Sequence, residues 1–374
     1  MQLVLNEDQE LLAKIAADFV REHSPVSRVR ALRDAKDPVG FSRELWKQMA
    51  ELGWLGIPYP ESMGGAGLGF AELAVVLEAL GRTLAPEPFL STVLLGGQVL
   101  LRGGSDAQQA AWLPKLVKGE AILTLAYQEP RSRYDPRRVA TRAEPDGTGL
   151  RLSGDKIQVL DGHVADALIV SARTAGDEAD ADGVGLFLVR AGAEGLEVER
   201  QLRIDSRNAS LLRLRRVPAE AVAGGAELLE RVVDLATAGL CAEMLGAMSE
   251  IFDVTLDYLR TREQFGVPIG SFQALKHRAA QLFIEIELAR SAVMAATRAL
   301  DEELDDASSL VSLAKARCSD AFVRVGNESI QMHGGIGMTD EYDMGFYLKR
   351  ARVAELSFGD AAYHRDRWAR RSGY

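Results

Sequence analysis

A carboxylate placed where a loop turns into a helix is a candidate acid–base group. The stretch RARVAELSFGDAAYHRDRWARR at residues 350 to 371 has one, Asp360 beside Gly359. Asp360 has a second role open to it, because an Asp side chain accepts from the free N–H groups of a helix's first turn and its charge suits the positive end of the dipole. The helical pattern Ala361, Tyr363, His364, Trp368 that follows it, with arginines toward the C-terminal end, favours that cap. Two further stretches have the residue types to hold a ligand. In RTREQFGVPIGSFQALKH at 260 to 277, one helix ends near Arg262 and the next opens at Ser271, Phe272 and Gln273. Arg262 and Gln264 beside a new helix N-terminus suit an anion such as a pyrophosphate, although an ordinary helical hairpin reads the same way. In QMHGGIGMTDEY at 331 to 342, Gly334, Gly335 and Gly337 permit close approach of backbone to a ligand. A glycine-rich helix end with Thr339 capping the next element is the alternative. RSRYDPRRVATR packs five arginines into twelve residues, for phosphates or for solvent. YPESMGGAGLGF lacks both a preceding strand and G-x-G-x-x-G spacing, and reads as a loop between helices.

These stretches need elements to position them. Residues 1 to 120 carry helical periodicity: Asn6 can cap EDQELLAKIAADFVREH, and FSRELWKQMAELGW, FAELAVVLEALGRTL and DAQQAAWLPKLVKG follow, each broken by Gly or Pro. From 121 to 225 the period shortens to that of strands, in AILTLAYQ, GLRLSGDKIQVL, DALIVSART, GVGLFLVRA, GLEVERQ and SLLRLRRV, with EPDGTG and DEADADG as turns. From 226 to 374 long helical patterns return, of a length that suits a bundle and an oligomer interface. The expected class is α+β: an N-terminal helical domain, a middle β-barrel-like domain and a C-terminal four-helix bundle.

The totals narrow the function. A chain of 374 residues can bury two or three cores. A net charge of −10 argues against a nucleic-acid scaffold, so an anionic ligand must be met by locally clustered arginines. Cys241 and Cys318 imply no disulfide framework, and MQLVLNEDQE has no signal-peptide pattern, so a cytoplasmic protein is expected. LSTVLLGGQVLL at 90 to 101 is too short to span a bilayer. Neither a metal nor a membrane partner is expected.

Taken together and in this order, LGWLGIPYPESMGGAG, Glu129-Pro130 of LAYQEP, TREQFGVPIGSFQALKHRAA and QMHGGIGMTDEYDMGFYLKRA resemble the acyl-CoA dehydrogenase family over essentially the whole chain. The likeness is greatest to a bacterial branch that includes heteromeric, two-gene enzymes, the small subunit of pimeloyl-CoA dehydrogenase among them. The resemblance implies FAD, an acyl-CoA substrate, electron-transfer flavoprotein as acceptor, and a tetramer with each flavin at a subunit interface. It assigns the pyrophosphate and adenosine end of a neighbour's flavin to Arg262, Gln264, Phe265, Gln273, Gln331, Gly334 and Gly335. The ring-holding half is eroded: the family's Thr-Glu-Pro stands as Gln128-Glu129-Pro130, Gly-Ala-Gly-Ser as Arg131 to Tyr134, and Trp-x-Thr as Gln158-Val159-Leu160.

The resemblance also places the base. Aligned from Arg350, the family's Tyr-Glu-Gly-Thr falls on Phe358, Gly359, Asp360 and Ala361, so Gly359 stands where the catalytic Glu would be. Members with glycine there carry the base on the long helix after the β-domain, at the position of Ala236 here. Glu243, two helical turns further on, is the substitute carboxylate on that face. Its alternative is a buried Glu paired with an Arg. Three readings follow: one subunit of a heteromeric acyl-CoA dehydrogenase, a self-sufficient homo-oligomer using Glu243 or Asp360, or a non-catalytic scaffold subunit.

Overall fold

A computed structural model describes residues 4–147, 149–180 and 182–374. Its helices are α1 (Glu7–His23), α2 (Val26–Asp34), α3 (Arg43–Glu51), α4 (Phe70–Arg82), α5 (Gly97–Gly103), α6 (Asp106–Val117), α7 (Gly225–Thr261), α8 (Gln273–Asp301), α9 (Ala307–His333), α10 (Met344–Leu356) and α11 (Ala361–Arg371). The main sheet has β1 (Leu123–Ala126), β2 (Arg142–Asp146), β3 (Gly149–Leu160), β4 (Ala167–Arg173), β5 (Val184–Arg190), β6 (Leu196–Leu202) and β7 (Asn208–Val222). A small hairpin pairs β8 (Glu263–Gln264) with β9 (Val267–Pro268). The chain divides into two compact units: Met1–Ala35, Phe70–Ala85 and Thr237–Tyr374 make one, Lys36–Gly69 and Pro86–Ala236 the other.

The first unit is helical. Asn6 caps α1 in a full capping box with Gln9, as its sequence predicts. α4 and α7 cross with their backbones in contact. A Cβ on Gly246 would lie 1.8 Å from the Glu78 carbonyl oxygen, and one on Gly81 2.1 Å from that of Glu243. α9 packs on α8, α10 and α11. α7 is long and apolar enough to cross a bilayer, but its apolar window is 94% buried, which makes it a core helix. Asp301, the last residue of α8, accepts from the Phe70 and Ala71 N–H groups and so caps α4 from a distant element.

The second unit centres on the sheet. β4 pairs with β2, β2 with β3, β3 with β7, β7 with β5 and β5 again with β4, so the circuit closes into a barrel. β1 lies parallel to β4, and β6 flanks β7. Inside, Glu129 and Lys156 form a buried pair, Oε1 to Nζ 2.6 Å. Glu129 also accepts from the Ala140 and Thr141 N–H groups at 2.7 and 3.1 Å, and Lys156 donates to Ser171 Oγ at 3.0 Å. Arg173, also buried, has no carboxylate partner among the described residues. It donates to the carbonyls of Arg137, Val139, Ala175, Glu178, Asp180 and Asp182, fastening two loops to β4.

Removing one member of a buried pair leaves the other charge uncompensated. Lys156→Met is therefore expected to lower unfolding free energy by about 3–5 kcal/mol. Lys156→Met with Glu129→Gln, which removes the charge but keeps an acceptor for the Ala140 and Thr141 N–H groups, should recover most of that loss, both read from urea midpoints. A single variant as stable as the parent would refute the pair's role.

Candidate flavin-binding half-site

Three segments meet at one end of the helical unit, and an aromatic stack brings them there. Tyr258, one turn before the end of α7, stacks on His333 at the end of α9, with centroids 4.4 Å apart, and Tyr342 packs tilted against the same ring at 5.0 Å. His333 is buried, its Nδ1 donating to Ser329 O at 2.7 Å, and burial lowers its pKa. The stack thus seats the end of α7, which carries Arg262, beside the glycine turn 334–338. The first turns of α8 join them through Arg278 and Glu328 at 3.1 Å.

The predicted ligand residues are all exposed at this end. Arg262 closes α7, and its guanidinium makes no hydrogen bond or ion pair among the described residues. Gln264 ends β8, and Phe265 and Gly266 form the tip of the β8–β9 hairpin, Phe265 93% exposed at φ +55° and Gly266 at +77°. α8 starts at Gln273 after Phe272, which offers no side-chain cap, so its first N–H groups face outward. Gln331 lies in the last turn of α9. A Cβ on Gly334 or Gly335 would meet nothing within 4 Å, which leaves this backbone open to approach. An open cation, an uncapped helix N-terminus, three exposed amides and a bare aromatic ring fit an anionic nucleotide with a flat heterocycle, such as FAD. Thr339 does not cap α10 as expected. Its Oγ1 donates back to Ile336 O at 2.8 Å, and Asp343 takes the N-cap position.

The candidate bases lie elsewhere. Glu243 is 3% exposed and its Oε2 accepts from Arg350 Nη2 at 2.8 Å, Arg350 being similarly buried. It stands nineteen residues before Arg262 (262 minus 243) on α7, about 28 Å along the axis. Of its two readings, the geometry is that of the ion pair. Asp360 is the N-cap of α11, accepting from Tyr363 N at 2.8 Å. Gly359 has φ +116°, and a Cβ there would lie 2.5 Å from the Tyr363 ring and 2.7 Å from His364 Nε2. No catalytic Glu can occupy that position without displacing both rings.

Two residues that sequence reasoning missed hold this turn. Lys315, buried on α9, spends its three N–H groups on Ser319 Oγ at 2.9 Å, Glu355 O at 3.0 Å and Gly359 O at 2.7 Å. Burial lowers its pKa to about 8. His364 Nε2 donates to Phe358 O at 3.0 Å, and burial drives its pKa down to about 3. Neither contact leaves a sequence signal, since each depends on how α9, α10 and α11 pack.

In the barrel unit, the positions of the eroded motifs are occupied. Ser132 Oγ accepts from Glu129 N at 2.9 Å, and Gln128 Nε2 donates to Tyr127 Oη at 3.1 Å. Gln158 is at φ +54°, in the bulge that interrupts the β3–β7 register between Lys156 and Val159. Of the loop arginines, Arg137 pairs with Glu230, Arg138 with Glu178, and Arg142 donates to Gly176 O. These three of the five loop arginines therefore have protein partners.

Comparison with known proteins agrees with this architecture. Family models match three segments: acyl-CoA dehydrogenase N-terminal domain at residues 6–120, middle domain at 124–217 and C-terminal domain at 223–373. The chain is similar to a mitochondrial isovaleryl-CoA dehydrogenase from Pongo abelii, 32% identical over 96% of this chain and 88% of the relative. Among solved structures it is similar to the ChsE4-ChsE5 complex from Mycobacterium tuberculosis, at 32% identity and a TM-score of 0.90 over 100% of this chain and 99% of that one. It also resembles a variant of the Tcur3481-Tcur3483 steroid ACAD, at 34% identity and a TM-score of 0.88 over 97% of each chain.

Two measurements test the turn at Gly359. Gly359→Glu should add no dehydrogenase activity and should lower thermal stability sharply, since both the φ and the rings oppose it. A stable variant with raised turnover would contradict the packing. The Lys315 pKa of about 8 when folded lies below the unfolded value of about 10.4. Between those values the unfolded chain holds a proton that the folded chain has released, so stability rises with pH across that window, by up to about 3 kcal/mol. Lys315→Met should lack this rise, as read from urea midpoints taken from neutral pH to above the unfolded lysine value.

Proposed function

Because the chain belongs to the acyl-CoA dehydrogenase family of flavin-dependent oxidoreductases, we propose that it desaturates an acyl-CoA at the α,β-position as one subunit of a heteromeric enzyme. In this reading it completes an FAD site whose ring and base belong to a second, related chain. The observation that carries the proposal is an asymmetry: the end with Arg262, the start of α8 and Gly334–Gly335 is open, while Gly359 and Glu243 are both closed to acid–base work. Bound FAD would take up the β-hydride. Arg262 and the first turn of α8 would hold its pyrophosphate, and Gln264, Phe265 and Gln273 would flank it. Gln331 with the Gly334–Gly335 backbone would receive the adenosine end, and the partner would remove the α-proton.

The apolar face of α8 supports an assembly, since Phe283, Ile284 and Leu288 are each at least half exposed. Two of the similar solved structures are named for pairs of proteins, ChsE4-ChsE5 and Tcur3481-Tcur3483, and the second is called a steroid ACAD. A steroid acyl-CoA is accordingly the first substrate to test. We assign electron-transfer flavoprotein as acceptor and the cytoplasm as location, where the buried thiols of Cys241 and Cys318 would stay reduced.

Flavin absorbance per chain, with native mass, tests the proposal. The protein purified alone should carry little FAD, and co-expression with its related partner should restore about one FAD per shared site. In that complex Arg262→Ala with Gln331→Ala should remove most of the flavin. Full flavin content in the double variant would sink the shared site and leave a scaffold role. A homotetramer with one FAD per chain would instead support the self-sufficient reading, with Glu243→Gln as its next test.

A further inference from the structure

The glycine turn has only two side chains, Ile336 and Met338, and both are exposed, so its position depends on its two ends. The N-terminal end is His333, held by the tyrosine stack. The C-terminal end is gripped by two arginines of α2, a helix that buries only Val29. Arg33 forms a two-pronged bond with Asp340, Nη1 to Oδ1 at 2.6 Å and Nη2 to Oδ2 at 2.7 Å. Arg30 donates to the Asp340 carbonyl and, at 2.7 Å, to Asp343 Oδ1. Asp343 stands at the N-cap of α10 yet makes no cap with its side chain, being turned to Arg30 instead. Both guanidinium carbons lie 4.8 Å from the centroid of the Phe346 ring on α10.

Such a cluster is more than α2 needs to dock. An ordinary exposed ion pair contributes little, whereas forked bonds stacked on an aromatic ring fix orientation as well as distance. The grip also lies within a few residues of backbone that must stay bare for a ligand. We infer that Arg30 and Arg33 of α2, through Asp340 and Asp343, are positioning residues that hold the Gln331–Gly335 segment in register for the adenosine end of the flavin. This rests on the proposed nucleotide role of that segment. The two arginines touch no flavin in this scheme and take no part in the chemistry. Their effect is to reduce the ordering that binding would otherwise require. The charge on Asp340 is secured by Arg33, whose bond holds the carboxyl below its usual range.

The test uses the assembled complex and titrates FAD into the deflavinated enzyme. Arg33→Ala and Asp340→Asn are each expected to raise the FAD Kd about tenfold while native mass stays unchanged, and saturating FAD should restore parental turnover. Arg33→Lys, which keeps the charge but not the fork, should fall between Ala and the parent and provides the answer if Ala impairs folding. Arg262→Ala is the reference for direct contact. If Arg262→Ala weakens FAD while Arg33→Ala and Arg33→Lys leave Kd unchanged, the positioning role is overturned. A turnover loss that saturating FAD cannot restore would also overturn it, by making the effect a general structural one. If Arg262→Ala itself leaves Kd unchanged, the nucleotide role of this end is what fails.

Discussion

The contact on which the helical unit depends is the crossing of α4 and α7, where Gly81 and Gly246 bring two backbones together. Any Cβ there would strike the opposing carbonyl, at Glu243 in one case and Glu78 in the other. The crossing flanks two carboxylates, Glu243 buried and Glu78 partly exposed. Each meets a cation: Glu243 takes Arg350 from α10, and Glu78 takes Arg290 from α8. Tyr347, one turn before Arg350, donates to Arg82 O at the end of α4. The crossing thereby sets where α10 lies, and α10 in turn sets both the Asp340–Asp343 segment before it and the Gly359 turn after it. The fate of Glu243 is decided by packing, because a carboxylate buried at a helix crossing costs several kcal/mol unless it stays paired.

The buried cations fall into two kinds with different work. Lys156 meets a carboxylate and lies inside the barrel, where the pair joins β3 to the residues after β1. Lys315 and Arg173 meet carbonyls instead, and each ties down a chain segment that has little core of its own. Lysine is suited to the converging carbonyls near Gly359, arginine to the wider fan of six, two before β2 and four after β4. In both cases the cation satisfies several acceptors that would otherwise be buried and unpaired. The rigidity of the turn at Gly359 therefore comes from α9, not from the turn itself.

Much of this is legible in the sequence because it is local. The Asn6 capping box and the Asp360 cap involve residues three apart, and the six strand-like runs all correspond to strands. β2 has the composition of a turn, since Pro145 and Asp146 disguise a strand that the barrel needs for closure. α2 leaves little periodic signal because its arginines break the apolar pattern, although they are what attaches it. The hairpin and the glycine turn can be identified as ligand-type segments, but not as neighbours. Their meeting depends on Tyr258 finding His333 far along the chain. The partner of Glu243 is equally hidden, at a separation of 107 residues.

What the junction of α10 and α11 excludes is more informative than a missing residue. Had Gly359 stood in open space, a single substitution could restore a carboxylate there. Instead its left-handed φ, the Tyr363 and His364 rings and the Lys315 bond to its carbonyl all shape the turn around the absence of a side chain. Freeing Glu243 is no easier, since breaking a buried ion pair such as the one it makes with Arg350 costs about 3–5 kcal/mol. A positioned base contributes about 10² to 10⁴ in rate, and neither carboxylate reaches that role without dismantling its surroundings. The end that carries Arg262 is arranged differently, since the Arg262 side chain is exposed and α8 begins without a side-chain cap. The two positions that could have carried a base are thus fixed by packing, while the end that carries Arg262 stays open to solvent.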